Sequence, residues 1–258
     1  MELHVKDLEI LIGQEAIVKS ISFQTRKQQF VGIIGANGCG KSTMLKGIYK
    51  GIKPQAGSVF LDELDLLAVS EKKVAQQLGV VNQFNELNFD LSVYQMVLLG
   101  RTPHKKLLES DTQADVEIVM DALAKTNLTN YCDRSFLSLS GGEKQRVILA
   151  RTIAQQPNYM ILDEPTNHLD IRYQLEILSC VKQLGIGVLA ALHDLELAAH
   201  YCDYIYAMKQ GKIIAEGQPE ALFTAELIEE IYGVKCTIYQ NPVTKRLGFA
   251  YSLGESLM

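Results

Sequence analysis

The stretch GANGCGKST, residues 35–43, decides how the rest of the chain is read. It has the form G-x-x-x-x-G-K-[ST], filled by Gly35, Gly40, Lys41 and Ser42. Glycines let the backbone wrap so that consecutive N–H groups point inward and make an anion-binding nest. A helix starting at Lys41 adds the positive end of its dipole. The lysine then reaches the β- and γ-phosphates of a nucleotide, and the Ser42 hydroxyl binds Mg²⁺. The flanks supply the context this loop needs. FVGIIG before it is a short apolar, β-branched run with the character of a buried strand, and KSTMLKGIYK after it has helical character.

Working outward, 258 residues with 47% hydrophobic content are enough for one large α/β domain. The net charge of −5 and a pI near 5.6 give no support to a nucleic-acid surface, and the basic residues are scattered. No apolar run reaches the length of a membrane span, and the N-terminus MELHVKDLEI is charged, unlike a signal peptide. These features predict a soluble, cytosolic chain. Cysteines 39, 132, 180, 202 and 236 show no metal-like spacing and read as reduced, mostly structural thiols.

Period and punctuation set the coarse organisation. The first thirty residues read as strands with a turn near Gly13. GSVFLDE is a strand, and KKVAQQ a short helix before strand GVV. From 87 to 136 the spacing turns helical, which predicts a helical subdomain inserted in the α/β core. Helix GEKQRVILARTIAQQ, strand YMILDE, helix IRYQLEILSCVKQL, strand GVLAALH and helix DLELAAHYC then alternate. A hairpin, two short helices and a small C-terminal extension at 235–258 follow. The expectation is a single domain over 1–258: a P-loop core with a parallel sheet, an N-terminal antiparallel β portion and the helical insertion.

Four further stretches carry chemistry. YMILDEP ends an apolar strand in two carboxylates; Asp163 suits the Mg²⁺ side of a P-loop site and Glu164 the attacking water. In LSLSGGEKQR, Ser140, Gly141 and Gly142 precede a helix and form a second potential anion turn, although Ser140 also suits a plain helix cap. One chain does not need two cradles for one nucleotide. A symmetric dimer does, if each nucleotide lies between one copy's P-loop and the other's SGG turn. Gln83 and His193 end strands GVVNQ and GVLAALH, where ligands of open α/β sheets bind.

Together these residues resemble the ATP-binding subunits of ABC transporters along nearly the whole chain. GANGCGKST is similar to the Walker A loop, YMILDEP to the Walker B strand, LSGGEKQR to the ABC signature and NHLD to the D-loop. Gln83 matches the Q-loop and His193 the switch histidine. LLGRTPH (98–104) and PTNHLDIRYQLEIL (165–178) resemble the subfamily serving importers of iron–siderophore, haem and cobalamin complexes. The resemblance implies an ATPase with ATP and Mg²⁺ as cofactors, on the inner face of the cell membrane. Its partners would be integral membrane permease subunits, a second copy of itself and, indirectly, a substrate-binding protein, with no nucleic acid. Backbone N–H groups over Asn37, Gly38, Cys39, Gly40, Lys41, Ser42 and Thr43 would hold phosphates. Ser42, Gln83 and Asp163 would surround the metal. Glu164, His193 and Lys41 would act in catalysis, Ser140, Gly141 and Gly142 would close over the γ-phosphate of the other copy, and Asp170 would lie at the dimer seam. Residues 83–104 would grip the permease.

Other readings stay open: the ATPase of a different ABC importer or of an exporter, or a soluble ABC ATPase that moves no solute. Repair and translation versions of the last usually carry coiled coils or two cassettes, which 258 residues do not hold. The chain also departs from the family pattern. Ile12 stands where an aromatic residue usually stacks on adenine, Gln28-Gln29 replace Gly-Glu, and Cys39 takes a loop position where serine or alanine is common.

Overall fold

The structure, a computed structural model, describes residues 1–82, 90–106 and 108–253. They form two compact units: 1–68 with 187–258, and 69–186.

The first unit begins with β1 (Leu3–Ile12) and β2 (Glu15–Gln24), then β3 (Phe30–Ile34), α1 (Lys41–Ile48), β4 (Ala56–Leu61) and β5 (Leu64–Asp65). Strands β2-β1-β4-β5 make an antiparallel sheet in that order. Alternation puts Leu3, Val5, Leu8 and Ile10 of β1 and Val18, Ile21 and Phe23 of β2 inside, where each large side chain contributes roughly 1.5–3 kcal/mol by leaving water. The register of β1 slips between Val5 and Leu11. The turn after β1 uses Gly13 at φ 64°.

The second unit holds α2 (Glu71–Ala75), β6 (Leu78–Val81), α3 (Val93–Leu98), α4 (Gln113–Lys125), α5 (Gly141–Ala154), β7 (Tyr159–Asp163) and α6 (Ile171–Gln183). Strands β6 and β7 pair in parallel, from Leu78 opposite Tyr159 to Val81 opposite Leu162. Every residue of β7 is buried, which explains its unbroken apolar run. Three helices start alike: Ser92 with Gln95, Thr112 with Asp115, and Ser140 with Glu143 each close a reciprocal capping box. The LLGRTPH stretch forms a 3-10 helix at Leu99–His104. Buried Arg101 pairs with Asp115 at 2.9 Å and donates to the Ala154 carbonyl at 2.9 Å. The Asp115 carboxyl is held far below the usual range, first by the Thr112 backbone N–H and then by Arg101.

The chain then returns to the first unit with β8 (Gly187–Ala191), α7 (Leu195–Tyr201), β9 (Tyr204–Lys209), β10 (Lys212–Gly217), α8 (Pro219–Leu222), α9 (Ala225–Tyr232), β11 (Lys235–Gln240) and β12 (Leu247–Ser252). Strand β3 lies between β8 and β9, parallel to both, and β10 folds back antiparallel on β9. All residues of β3 and β8 are buried. The C-terminal extension is a true hairpin, with Lys235 opposite Ser252 and Gln240 opposite Leu247. It packs through Phe249, whose ring meets Phe223 at 5.0 Å and whose N–H donates to Glu196 on α7 at 3.4 Å.

Candidate functional site

Residues 35–43 leave the end of β3 and enter α1 directly. Two glycines are demanded by geometry. A Cβ on Gly35 would lie 2.4 Å from the Met208 carbonyl oxygen and 2.6 Å from the Cys39 sulfur. Gly40 has φ 108°, and a Cβ there would approach the Ile17 carbonyl oxygen at 2.9 Å. The loop is therefore seated on β2 and β9 by contacts that only bare backbone permits. The Cys39 carbonyl accepts from Gly211 N–H at 2.9 Å, and Lys19 N–H donates to the Gly211 carbonyl at 2.8 Å, which fixes the loop from the β9–β10 turn.

Helix α1 begins at Lys41 with Gly40 as its N-cap, a residue with no side chain to cap the helix. An uncapped helix start concentrates unsatisfied N–H groups at its positive end. Lys41 is buried, and its ammonium donates to the Gly35 carbonyl at 2.7 Å and the Ala36 carbonyl at 3.2 Å, with the Cys39 sulfur 4.0 Å away. An ammonium has three donors, so two carbonyls aim the group without exhausting it. Asn37 and Gly38 are exposed at the loop tip. Cys39 is buried, and its N–H closes a turn on the Ala36 carbonyl at 3.2 Å. Ser42 and Thr43 lie half-buried in the first turn of α1. All five cysteines are free thiols.

His193 stands two residues past β8, the parallel neighbour of β3, and is half-buried. In the first unit, then, the P-loop and His193 leave adjacent strands at the same, carboxyl end. A cavity of about 290 Å³ is lined by His193, Asp194, Leu195, Glu196, Tyr232 and Tyr251. Ile12 ends β1 with 53% of its surface exposed.

In the second unit, buried Asp163 is the last residue of β7, and Glu164 follows it. Glu164 has φ 53°, a left-handed backbone that a non-glycine residue adopts at a cost of order 1–3 kcal/mol. That turn re-aims the side chain away from the strand direction. Asn167 donates its side-chain N–H to a Glu164 carboxylate oxygen, and its backbone N–H reaches the Glu164 carbonyl at 3.3 Å. Sequence reading quoted Asn167 within NHLD but gave it no task; its position three residues after the carboxylate was the available signal. Asp170 is exposed and is the N-cap of α6, with no side-chain capping bond. Gln83 lies outside the described residues.

Ser140 caps α5. Its hydroxyl receives the Glu143 N–H at 3.4 Å, while Ser140 N–H and Oγ–H donate to Glu143 Oε2 at 2.8 and 2.9 Å. The Glu143 carboxyl is held below its usual range, first by the Ser140 backbone N–H and then by the hydroxyl. A Cβ on Gly142 would meet the Tyr173 ring at 2.6 Å, whereas one on Gly141 would meet nothing.

Among the described residues no cluster of three or more His, Cys, Asp or Glu is placed to hold a metal ion. Mg²⁺ is commonly bound by one or two protein oxygens together with phosphates rather than by an all-protein cage. Ser42 and Asp163 are hard oxygen donors of the right kind. Among the described residues no helix is long and apolar enough to cross a membrane.

A glycine-shaped loop on a parallel strand, an uncapped helix start and a buried lysine define a P-loop nucleotide-binding protein. The comparisons with known proteins then narrow the class. The ABC transporter family model matches residues 18–167. The ferric enterobactin transport ATP-binding protein of Escherichia coli K12 is 37% identical over 245 residues, covering 93% of this chain and 90% of that protein. The hemin import ATP-binding protein of Bordetella pertussis is 35% identical over 254 residues, covering 94% and 96%. Among solved structures, an inward-facing metal-chelate type ABC transporter superposes with a TM-score of 0.85 at 26% identity, covering 99% of this chain and 98% of that one. The chain belongs to the ABC transporter family and is an ATPase of its cassette type.

Proposed function

We propose that this protein hydrolyses ATP to drive import of an iron–siderophore complex, haem or cobalamin through a membrane permease. The observation that carries the cargo class is similarity along almost the whole chain to ATP-binding proteins whose names specify ferric enterobactin, petrobactin, hemin and cobalamin. The ATPase chemistry is supported by the P-loop geometry.

In this reading the backbone amides at the start of α1 hold the phosphates, and Lys41, aimed by the Gly35 and Ala36 carbonyls, donates to β- and γ-phosphate oxygens. Mg²⁺ would supply charge neutralisation on the phosphates, and Ser42, Asp163 and Gln83 are the residues that would hold it. Glu164 takes a proton from water as the water oxygen bonds to the γ-phosphorus and the bond to the ADP oxygen breaks. The Asn167 bond fixes the carboxylate for that task, and the left-handed backbone at Glu164 turns it out of line with Asp163. His193 contacts the γ-phosphate. Ser140 and Gly142 of a second copy close over it, and Asp170 lies at the seam between copies. Catalysis of this kind is mostly positioning and charge stabilisation.

The permease grip is assigned to the second unit. There α2, the 3-10 helix and the segment after it line a groove of about 670 Å³ that includes Lys72, Ala75, Thr102, Pro103, Lys105 and Leu108. Leu108 is 95% exposed, as a residue waiting for a partner would be. The protein works from the cytoplasmic face of the membrane, with a substrate-binding protein delivering cargo on the other side.

The test is Glu164→Gln. Loss of a general base lowers turnover by about 100-fold or more, while ATP binding persists and an ATP-dependent dimer accumulates in light scattering. Wild-type turnover in this variant removes the general-base assignment.

A further inference from the structure

Helix α9 and the C-terminal hairpin reach the phosphate end of the first unit, and one side chain of α9 lies beside the P-loop and lines the cavity that His193 lines. Tyr232 is the last residue of α9, which Thr224 caps at the start and Gly233, at φ 70°, ends. Its hydroxyl is fully buried; the Gly35 backbone N–H lies near its oxygen, and its own proton has no acceptor among the described residues. It lies against the Gly35 backbone, at the first P-loop glycine, with Cys39 and Tyr251 as further polar neighbours. Burial pushes the phenol well above its ordinary range, so it stays neutral and keeps its proton. The same ring lines the cavity that holds His193.

A buried hydroxyl whose proton has no acceptor costs about 1–3 kcal/mol, and such groups in native structures call for a reason. Packing alone gives none here, because a phenylalanine would fill the same space without the cost. The surroundings give one. Gly35 is doubly committed: its carbonyl aims Lys41, and its α-carbon leaves no room for displacement against Met208 and Cys39. The hairpin beyond Tyr232 is in turn bound to the helix after His193. Phe249 N–H bonds Glu196, and the Arg246 guanidinium bonds the His200 carbonyl. Tyr232 therefore lies where the P-loop, the His193 segment and the C-terminal hairpin converge.

We propose that Tyr232 is a positioning residue for ATP hydrolysis, its hydroxyl setting His193 and the start of the P-loop in register. The inference rests on His193 acting at the γ-phosphate. Misplacement by a fraction of an ångström costs rate more than affinity, since ground-state binding is spread over many amides.

The test uses the full chain with Tyr232→Phe, His193→Ala and the double variant, followed by single-turnover ATPase rates, fluorescent-nucleotide titration and thermal midpoints. Tyr232→Phe is expected to show a midpoint at or above that of the wild type and to keep its ATP affinity while kcat falls roughly 5- to 20-fold. The double variant is expected to be no slower than His193→Ala, because a residue that acts through another adds nothing once that partner is gone. Wild-type kcat in Tyr232→Phe overturns the proposal, as does a loss that tracks a lowered midpoint, or additive losses in the double variant. Wild-type kcat in His193→Ala overturns instead the reading of His193, and the coupling falls with it.

Discussion

The two anion turns of this chain, GANGCGKST and LSGGE, start helices in opposite ways. At α1 the N-cap is a left-handed glycine with no side chain to cap the helix, and no acidic residue sits in the first turn. At α5 a serine and a glutamate close on each other and on the backbone. The first turn has no side-chain cap and brings a buried lysine to its positive end. The second bonds the Ser140 and Glu143 amides locally. The difference teaches that the two turns present their helix starts differently, one bare with a lysine and one closed by a capping box; under the proposed function a second copy would bring its nucleotide to the closed one.

The largest expected effect attacks the open turn. Lys41→Ala removes an ammonium held by two carbonyls and leaves Gly35 and Ala36 without that donor. Loss of one such charge-stabilising group costs about 100- to 1000-fold in turnover. ATP hydrolysis by the purified variant measures it. Turnover within tenfold of wild type would mean that the open helix start does the work alone.

Next comes the partnership of the two turns. Lys41→Ala and Ser140→Arg chains are each expected to be inactive, and their mixture to regain activity. In the mixed dimer one composite site carries both defects and the other neither. If heterodimers form and no activity returns, the division of labour between an open and a borrowed turn is wrong, or both sites must fire together.

What was legible in the sequence follows the same contrast. The P-loop could be read because glycine spacing encodes backbone directly; Gly35 and Gly40 are where a Cβ collides. Ser140 could be read as a cap because S-x-x-E is local. The paired carboxylates at the end of β7 were visible as an apolar run that stops. What escaped depends on tertiary contact or on uncommon dihedrals. Nothing in AELIEEIY says that its tyrosine ends against Gly35, more than 190 residues away in the chain. The left-handed backbone at Glu164 and the Asn167 bond need a turn geometry that TNH does not announce. The hairpin of β11 and β12 was read only as a tail, because KCTIYQ is half exposed and its partner strand lies behind a polar turn.

The smallest effect tests the cap itself, and it has a pH signature. Glu143 is held below its ordinary carboxyl range of about 4.5 by the Ser140 N–H and hydroxyl. A group whose folded pKa is depressed contributes stability above its unfolded pKa and loses it as pH falls through the folded one. The contribution is thus full at neutral pH, begins to fade near the ordinary glutamate value and is gone at still lower pH. Removing such a cap costs about 1 kcal/mol, which in a chain of this size lowers the thermal midpoint by roughly 2–4 °C. Glu143→Ala should show that deficit at pH 7 and lose it at low pH. Glu143→Gln keeps an acceptor for the Ser140 N–H, so it should lose less at pH 7, and that smaller deficit should also fade at low pH because the titrating carboxyl is the wild type's. The α1 turn offers no counterpart, since its first turn carries no acid and its lysine bonds carbonyls that do not titrate. A pH-independent deficit in Glu143→Ala would mean that the carboxylate charge is not what closes the second turn. The two turns would then differ in shape alone, not in electrostatics.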